Sequence, residues 1–359
     1  MTDKRIENIN VSAEEAIITP NQLKDLYPLN ENIIKTIEEG QNTIKRILRG
    51  DDRRLLVVVG PCSIHDIDAA KEYAQKLKRL AEEVNGSLYL VMRVYFEKPR
   101  TTVGWQGLIN DPYLDDTYKL EEGLKQAREL LSYIAELGLP VAGEALDIVT
   151  PQYIQDLISW TAIGARTTES QSHRKMASGL SSVVGFKNGT DGNIKIAINA
   201  LESVASPHNF ISIDPEGHVA VVRTKGNADT HIILRGGKRP NYDKESVRDY
   251  EKRLEEAGLP ARLMIDCSHA NSLKKAENQK LVLKSIEEQI LAGNNSIMGV
   301  MVESNLFHGK QSIPSDISTL KYGVSVTDEC IGWDETEQLL KKFANAVNSS
   351  LNQNHSKTS

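Results

Sequence analysis

Eight short apolar runs, separated by longer stretches with helical periodicity, restrict the fold of this chain more than any other feature. The runs cover residues 55–59, 88–96, 141–145, 162–165, 183–186, 232–234, 262–265 and 297–302. Runs that are apolar at nearly every position are typical of strands buried on both faces of a parallel sheet. Between them, as at residues 69–84 and 120–137, apolar residues recur three and four positions apart. Eight strands that alternate with helices predict an α/β fold, a (β/α)8 TIM barrel.

Some segments do not fit the alternation. Residues 1–50 form an N-terminal extension whose helix, at residues 31–48, is capped by Asn30 and ended by Gly50; it docks on its own barrel or on a neighbouring subunit. Residues 209–223 carry two β-rich arms around a turn at 214–217, which predicts an inserted hairpin. Thr150 and Pro151 predict another helix start, as cap and first residue. We assign residues 51–350 to the barrel with its hairpin insert and residues 351–359 to a disordered tail.

Composition narrows the class of protein. The 359 residues are 40% hydrophobic and 26% charged, which is enough for a large core and excludes global disorder. A net charge of -6 predicts binding neither to nucleic acid nor to an anionic membrane surface. Three scattered cysteines indicate a reducing compartment, and no apolar run is long enough to span a bilayer. Together with an N-terminus that lacks a signal peptide, these features predict a cytoplasmic protein.

Cationic side chains follow several of the predicted strands. In a (β/α)8 barrel the reacting groups lie at the carboxyl ends of the strands, so residues from different strands meet at one mouth. The cations at these positions are Arg93, Lys98, Arg100, Arg166, Lys187 and Arg235. Any one of them could be an ordinary solvated or ion-paired side chain. As a set they predict one or two substrates with several negative charges, because guanidinium groups match phosphate and carboxylate geometry.

A second set of polar residues suits a metal ion. Cys62, His269 and Glu303 follow the first, seventh and eighth predicted strands, and Asp328 lies in a later segment. A thiolate, an imidazole and two carboxylates favour manganese, iron, cobalt or zinc over magnesium. Taken singly, the cysteine could be a small buried apolar residue and the histidine a core or surface residue. Their shared location favours a metal site.

At this point the motifs become recognisable. They are GPCSIHD at 60–66, RVYFEKPRTTVGWQGLINDP at 93–112, IGARTTESQ at 163–171, GFKNGTDG at 185–192, HIILRGGK at 231–238, DCSHANS at 266–272 and GVMVESN at 299–305. Together they closely resemble the type I, bacterial-alpha 3-deoxy-D-arabino-heptulosonate-7-phosphate synthases. The resemblance implies a metal-dependent enzyme that condenses phosphoenolpyruvate with erythrose 4-phosphate and releases phosphate, at the first step of the shikimate pathway to aromatic amino acids.

The resemblance also implies roles for individual residues. Cys62, His269, Glu303 and Asp328 correspond to the ligands of a divalent metal ion, and Lys98 is the candidate proton donor. Cys62, His269 and Asp328 therefore count as catalytic together with Lys98. The remaining positions correspond to substrate contacts. The phosphoenolpyruvate cradle is Arg93, Lys98, Arg166, Lys187 and Arg235, with Ala165 beside it, and the erythrose 4-phosphate anchor is Pro99, Arg100 and Thr101.

Relatives of this subtype are inhibited by an aromatic amino acid, in a pocket made by the N-terminal extension and the hairpin. The matching positions here are Asn8, Pro151, Ser181, Phe210, Ser212 and Val222. The segments at 7–24, 144–146 and 321–325 resemble those of tyrosine-sensitive isoenzymes, with phenylalanine as the alternative effector. The family further implies a homodimer or a homotetramer of two dimers.

Three other functions remain open on the sequence. One is the sister condensation with arabinose 5-phosphate, whose enzymes lack the extension and the hairpin. A metal-dependent phosphohydrolase would release phosphate without a sugar acceptor. A sensor that only binds anions would bind without turnover, and the complete set of four metal ligands argues against it.

Overall fold

The computed structural model describes residues 6–100 and 102–355, with side chains up to residue 351. Its strands are β1 (Leu55–Gly60), β2 (Leu88–Arg93), β3 (Val141–Glu144), β4 (Trp160–Ile163), β5 (Val183–Lys187), β6 (Asn209–Ile213), β7 (Val219–Arg223), β8 (Thr230–Leu234), β9 (Leu263–Asp266) and β10 (Ile297–Glu303). Eight of them close into a parallel barrel in the order β1, β10, β9, β8, β5, β4, β3, β2. The predicted TIM barrel is therefore confirmed.

The helices alternate with the barrel strands, as the periodicity predicts. They are α1 (Pro20–Leu26), α2 (Glu31–Arg49), α3 (Ile67–Val84), α4 (Leu120–Glu136), α5 (Pro151–Ile154), α6 (Gln171–Ala177), α7 (Lys195–Val204), α8 (Lys244–Glu256), α9 (Gln279–Leu291) and α10 (Trp333–His355). Short 3-10 turns cover Gln155–Leu157, Ala276–Asn278 and Ile317–Thr319. The pair β6 and β7 is antiparallel and forms a separate hairpin, at the predicted position. Within the described part of the chain, no helix has the length and apolarity needed to cross a membrane.

Helix α2 closes the amino-terminal end of the barrel. The Asn30 side chain accepts a hydrogen bond from the amide of Ile33 at 2.9 Å, and Gly50 ends the helix in a left-handed conformation, as predicted. The apolar face of α2 contributes Ile44, Ile47 and Leu48 to a buried cluster with side chains of the barrel strands. The extension therefore docks on its own barrel, and the opposite, carboxyl-terminal mouth is left accessible.

The structure differs from the sequence predictions in three local details. The strand expected at residues 162–165 lies two residues earlier, at Trp160–Ile163, and it ends there because the next residue, Gly164, accepts hydrogen bonds in a turn. Helix α5 begins at Pro151 directly after Thr150, as predicted, but the Thr150 side chain makes no capping hydrogen bond, because its hydroxyl donates to Glu97 instead. Helix α10 extends to His355, into the segment expected as a tail, and the Ser350 hydroxyl near its end donates to the Ile290 carbonyl of α9. The remainder of that tail, 356–359, lies outside the described residues.

Candidate active site

The carboxyl ends of the strands surround a cavity of about 350 Å³. The expectation that functional residues follow the carboxyl ends of the strands, here called the strand-end rule, selected six cations. All six line this cavity: Arg93, Lys98, Arg100, Arg166, Lys187 and Arg235. Pro99 and Ala165 line it too, whereas Thr101 lies outside the described residues. The barrel brings the cations together because parallel strands present their carboxyl ends at one rim. A concave surface with this excess of positive charge suits a ligand that carries several negative charges.

Two of the cations are fixed by buried ion pairs beneath the cavity. The Arg93 guanidinium donates to Glu303 Oε1 at 3.0 Å and to the Cys62 carbonyl at 3.1 Å, and it lies 3.6 Å from the centre of the Tyr95 ring. Lys187 Nζ lies 3.0 Å from Asp266 Oδ2. Because each pair is buried, the positions of these cations are set before any ligand binds.

The four predicted metal ligands meet at the edge of the same cavity. One ligand atom from each of Cys62, Glu303 and Asp328 lies within 4.8 Å of the other two. His269 adjoins this group, with Nε2 3.9 Å from Glu303 Oε1. Burial and the nearby Glu303 carboxylate raise the pKa of the Cys62 thiol to about 11, so the thiolate needs a further positive charge. A divalent cation supplies such a charge, and the mixed sulfur, nitrogen and oxygen donors fit one.

The imidazole of His269 is held in one orientation. Its Nδ1 lies 2.8 Å from Asp266 Oδ2 and 2.7 Å from Ser268 Oγ, which leaves Nε2 facing Glu303. The backbone at His269 has φ 56°, a conformation that is uncommon outside glycine and is often found at functional sites. A carboxylate behind a histidine is the usual second partner of a metal-binding imidazole.

Asp266 is a residue to which the sequence reasoning assigned no role. It joins Lys187 of the cationic cavity to His269 of the donor set, and its side chain is completely buried. Its position at the end of β9 was a signal that the strand-end rule could have used. Glu144, Thr190 and Lys274 also line the cavity without having been predicted. Lys274 lies in a loop, and the path of that loop could not be predicted from the local sequence pattern.

Lys98 lies between the two parts of the site. Its Nζ is 2.8 Å from Cys62 Sγ and 3.2 Å from Asp328 Oδ2, and the thiol of Cys62 donates to the same carboxylate oxygen at 3.4 Å. The main-chain amide of Lys98 donates to the Gln106 carbonyl at 2.7 Å, which fixes the segment after β2. An ammonium group in this place can reach both an anion in the cavity and a group bound at the donor set.

The predicted inhibitor residues fall into separate groups. Pro151 and Ser181 line a second cavity, of about 440 Å³, between α2, α5 and the end of α6. Phe210, Ser212 and Val222 share one face of the hairpin and are not among the residues that line this cavity. The base of the hairpin is attached beside it, where the hydroxyls of Ser178 and Thr224 lie 2.7 Å apart. The Asn8 side chain donates to Glu14 Oε1 at 3.3 Å.

A closed (β/α)8 barrel with a cationic mouth and an adjoining set of metal-type donors defines an enzyme class that acts on small, multiply charged anions. The model of the DAHP synthetase I family matches residues 26–341. The chain belongs to this family, and it is an enzyme.

Named relatives match nearly the whole chain. The Tyr-sensitive phospho-2-dehydro-3-deoxyheptonate aldolase of Escherichia coli K12 is 53% identical over 98% of this chain and 99% of its own length. The Phe-sensitive enzyme of the same organism is 54% identical over 95% of this chain and 97% of its own length. A solved structure of phospho-2-dehydro-3-deoxyheptonate aldolase from Francisella tularensis SCHU S4 superposes with a TM-score of 0.92 at 48% identity, covering 94% of this chain and 98% of that one.

Proposed function

We propose that this enzyme condenses phosphoenolpyruvate with erythrose 4-phosphate to 3-deoxy-D-arabino-heptulosonate 7-phosphate, in a reaction that depends on a divalent metal ion. The observation that carries the proposal is the single cavity lined by the six predicted cations and by Lys274, with the donor set of Cys62, His269, Glu303 and Asp328 at its edge. The two substrates bring two phosphates and a carboxylate into one site. Without the cations these anions would repel one another at bonding distance.

The different depths of the cations support the proposed substrate positions. The buried pair Arg93 and Lys187, with Lys98, Arg166 and Arg235, forms the proposed phosphoenolpyruvate cradle, and Ala165 adjoins it. Pro99 and Arg100, further out on the same wall, are proposed contacts of erythrose 4-phosphate. Thr101, which lies outside the described residues, is proposed as a third contact. We propose that C3 of the enol in this cradle faces the aldehyde carbon of erythrose 4-phosphate.

The donor set would hold the metal, and manganese, iron, cobalt and zinc all suit its sulfur, nitrogen and oxygen atoms. When bound there, such an ion supplies Lewis-acid polarisation of a carbonyl group. C3 of phosphoenolpyruvate attacks the aldehyde carbon, and the Lys98 ammonium donates a proton to the aldehyde oxygen as it becomes a hydroxyl. Water adds at C2, and phosphate leaves from the same carbon. The cradle cations stabilise the negative charge that shifts during these steps.

Loss of the ultraviolet absorbance of the phosphoenolpyruvate enol tests this function. We expect the loss to require erythrose 4-phosphate and to stop when a chelator removes the metal. Preference for arabinose 5-phosphate would indicate the sister condensation instead. Phosphate release without any sugar would indicate a phosphohydrolase, and binding without turnover would indicate a sensor.

Feedback inhibition by an aromatic amino acid is the second part of the proposal, with tyrosine as the effector and phenylalanine as the alternative. The cavity beside α5 supports it, since the extension forms one wall and Pro151 and Ser181 another. Asn8, Phe210, Ser212 and Val222 remain proposed contacts. Relatives of both sensitivities are similarly close, so sequence identity does not separate them.

Tyrosine should therefore inhibit the condensation at lower concentration than phenylalanine does. The measurement is the initial rate of enol loss against the concentration of each amino acid, with leucine as the control for an apolar amino acid without a ring. Inhibition by phenylalanine at the lower concentration would make the assignment to tyrosine wrong.

The extension at residues 1–50 is proposed to serve both regulation and assembly. Ile211, Val219 and Val221 on the hairpin and Ile6 and Ile9 on the extension are between 62% and 83% exposed. Apolar surface of this extent is typical of a subunit interface. We expect a homodimer or a homotetramer, and a monomer in sedimentation would contradict this.

A further inference from the structure

Glu97 is a buried carboxylate that neither the proposed chemistry nor the resemblance uses. It immediately precedes Lys98, Pro99 and Arg100, here called the substrate segment, which lines the cationic cavity. Only 5% of Glu97 is exposed. Its Oε1 accepts from the Thr150 hydroxyl at 3.3 Å, and its Oε2 from the Asp147 amide at 3.5 Å. The side chain thus ties the substrate segment to the turn that begins α5.

Helix α5 and the residue after it form a wall between two cavities. Pro151 and Gln155 line the larger cavity beside α2, where the effector is proposed to bind. The same two residues line a small internal cavity, of about 20 Å³, that also contains Glu97. Glu144 in turn lines both the internal cavity and the cationic one. Glu97 and its immediate neighbours therefore connect α5 to the segment that lines the cationic cavity.

The other side of the substrate segment is clamped by the main chain. The amide of Lys98 bonds the Gln106 carbonyl, and a side chain at Gly107 would collide with the Phe96 carbonyl. These contacts do not depend on pH. The contact between Glu97 and the α5 turn is the part that can change with protonation.

The charged groups that face Glu97 are both acidic. Among the described residues these are Asp147 on the α5 turn and Glu144 at the end of β3; the other residues that line the internal cavity carry no charge. Burial first, and then Asp147, raise the pKa of Glu97 from its ordinary value to about 7. The neutral form suits the cavity, whereas ionisation as the pH rises through 7 adds a negative charge beside two others.

We propose that Glu97 is a positioning residue that couples the α5 wall of the effector cavity to the substrate segment Lys98 to Arg100. The inference rests on the proposed function and adds to it the route by which the effector acts. Neutral Glu97 holds the segment against the α5 turn. Ionisation of Glu97, or movement of α5 on effector binding, weakens that contact and moves Arg100 away from the phosphate of erythrose 4-phosphate.

Glu97→Gln removes the titration and keeps the shape, which allows a direct test. In the wild-type holoenzyme we expect the KM for erythrose 4-phosphate to rise about fivefold between pH 6 and pH 8 while kcat changes less. In Glu97→Gln the KM should stay level over this range. Glu251→Gln is the matched control, because Glu251 bonds Asn294 and Ser296 at the other end of the barrel. Identical pH profiles for the wild type and Glu97→Gln would overturn the proposal.

Calorimetric binding of tyrosine and phenylalanine separates coupling from binding. Glu97→Gln should bind the effector as the wild type does, but inhibition should weaken by about fivefold or more. Thr150→Val removes one hydrogen bond to Glu97 without changing any charge, and it should also weaken inhibition. If Glu97→Gln does not fold, the result for Thr150→Val alone tests the coupling. Unchanged inhibition in both variants contradicts the coupling. If the wild type binds neither amino acid, the proposed regulation fails, and the pH profiles alone decide the role of Glu97.

Discussion

Replacing Lys98 with alanine is expected to lower kcat by about 10²–10⁴-fold, the range that a positioned general acid contributes. The Nζ atom lies between Cys62 and Asp328, on the edge of the cavity where the aldehyde oxygen is proposed to gain its proton. Binding of phosphoenolpyruvate should weaken by less than about tenfold, because four other cations of the proposed cradle remain. The measurements are steady-state kcat and the dissociation constant of phosphoenolpyruvate by calorimetry.

Lys238→Ala is the control for the loss of one positive charge. Lys238 follows β8 in the same way but is exposed and is not among the residues that line the cationic cavity. It should leave both quantities nearly unchanged. If Lys98→Ala weakens phosphoenolpyruvate binding more than it lowers kcat, Lys98 acts as an electrostatic clamp and the donor role is wrong.

Cys62→Ser should weaken metal binding by about 100-fold or more and remove turnover at limiting metal, because the variant loses the only sulfur donor proposed for the site. Competition against a chromophoric chelator measures the affinity. With cobalt as the probe, the wild type should show a charge-transfer absorbance between thiolate and metal that the variant lacks. This spectrum reports the ligand without depending on activity.

Cys267→Ser provides the matched cysteine control. Cys267 is equally buried, but its sulfur faces the Ile265 carbonyl at 3.9 Å and is not part of the donor set. Its cobalt spectrum and metal affinity should match those of the wild type. A cobalt–thiolate band that survives in Cys62→Ser would show that the metal binds elsewhere.

Local physical rules account for much of the agreement between sequence and structure. All eight apolar runs contain or overlap a barrel strand, because burial on both faces leaves a pattern that needs no tertiary information. The ends of α2 were predictable for a similar reason, since Asn30 and Gly50 act on the adjacent turn. The capping hydrogen bond expected of the Thr150 side chain does not form, because its hydroxyl bonds Glu97, which is 53 positions away. The residues around Thr150 do not indicate a hydrogen-bond partner so far away in the sequence.

The strand-end rule shows how far pattern alone extends into the site. It selected six cations without any knowledge of distances, because the barrel topology brings the ends of its strands to one rim. It gave no role to Asp266, whose importance lies in holding Lys187 and His269 at the same time.

The sequence by itself determined the barrel, the cationic mouth and the types of atom available for a metal, because these depend on residue type and on position relative to the strands. Only the tertiary structure decided that Cys62 and Asp328, 266 residues apart, lie within 3.4 Å. It also decided that Glu97 is enclosed beside two other carboxylates while Lys98, the next residue, faces the cavity. Distance and burial arise from packing of remote segments, and these quantities set the charge state and the reach of a side chain.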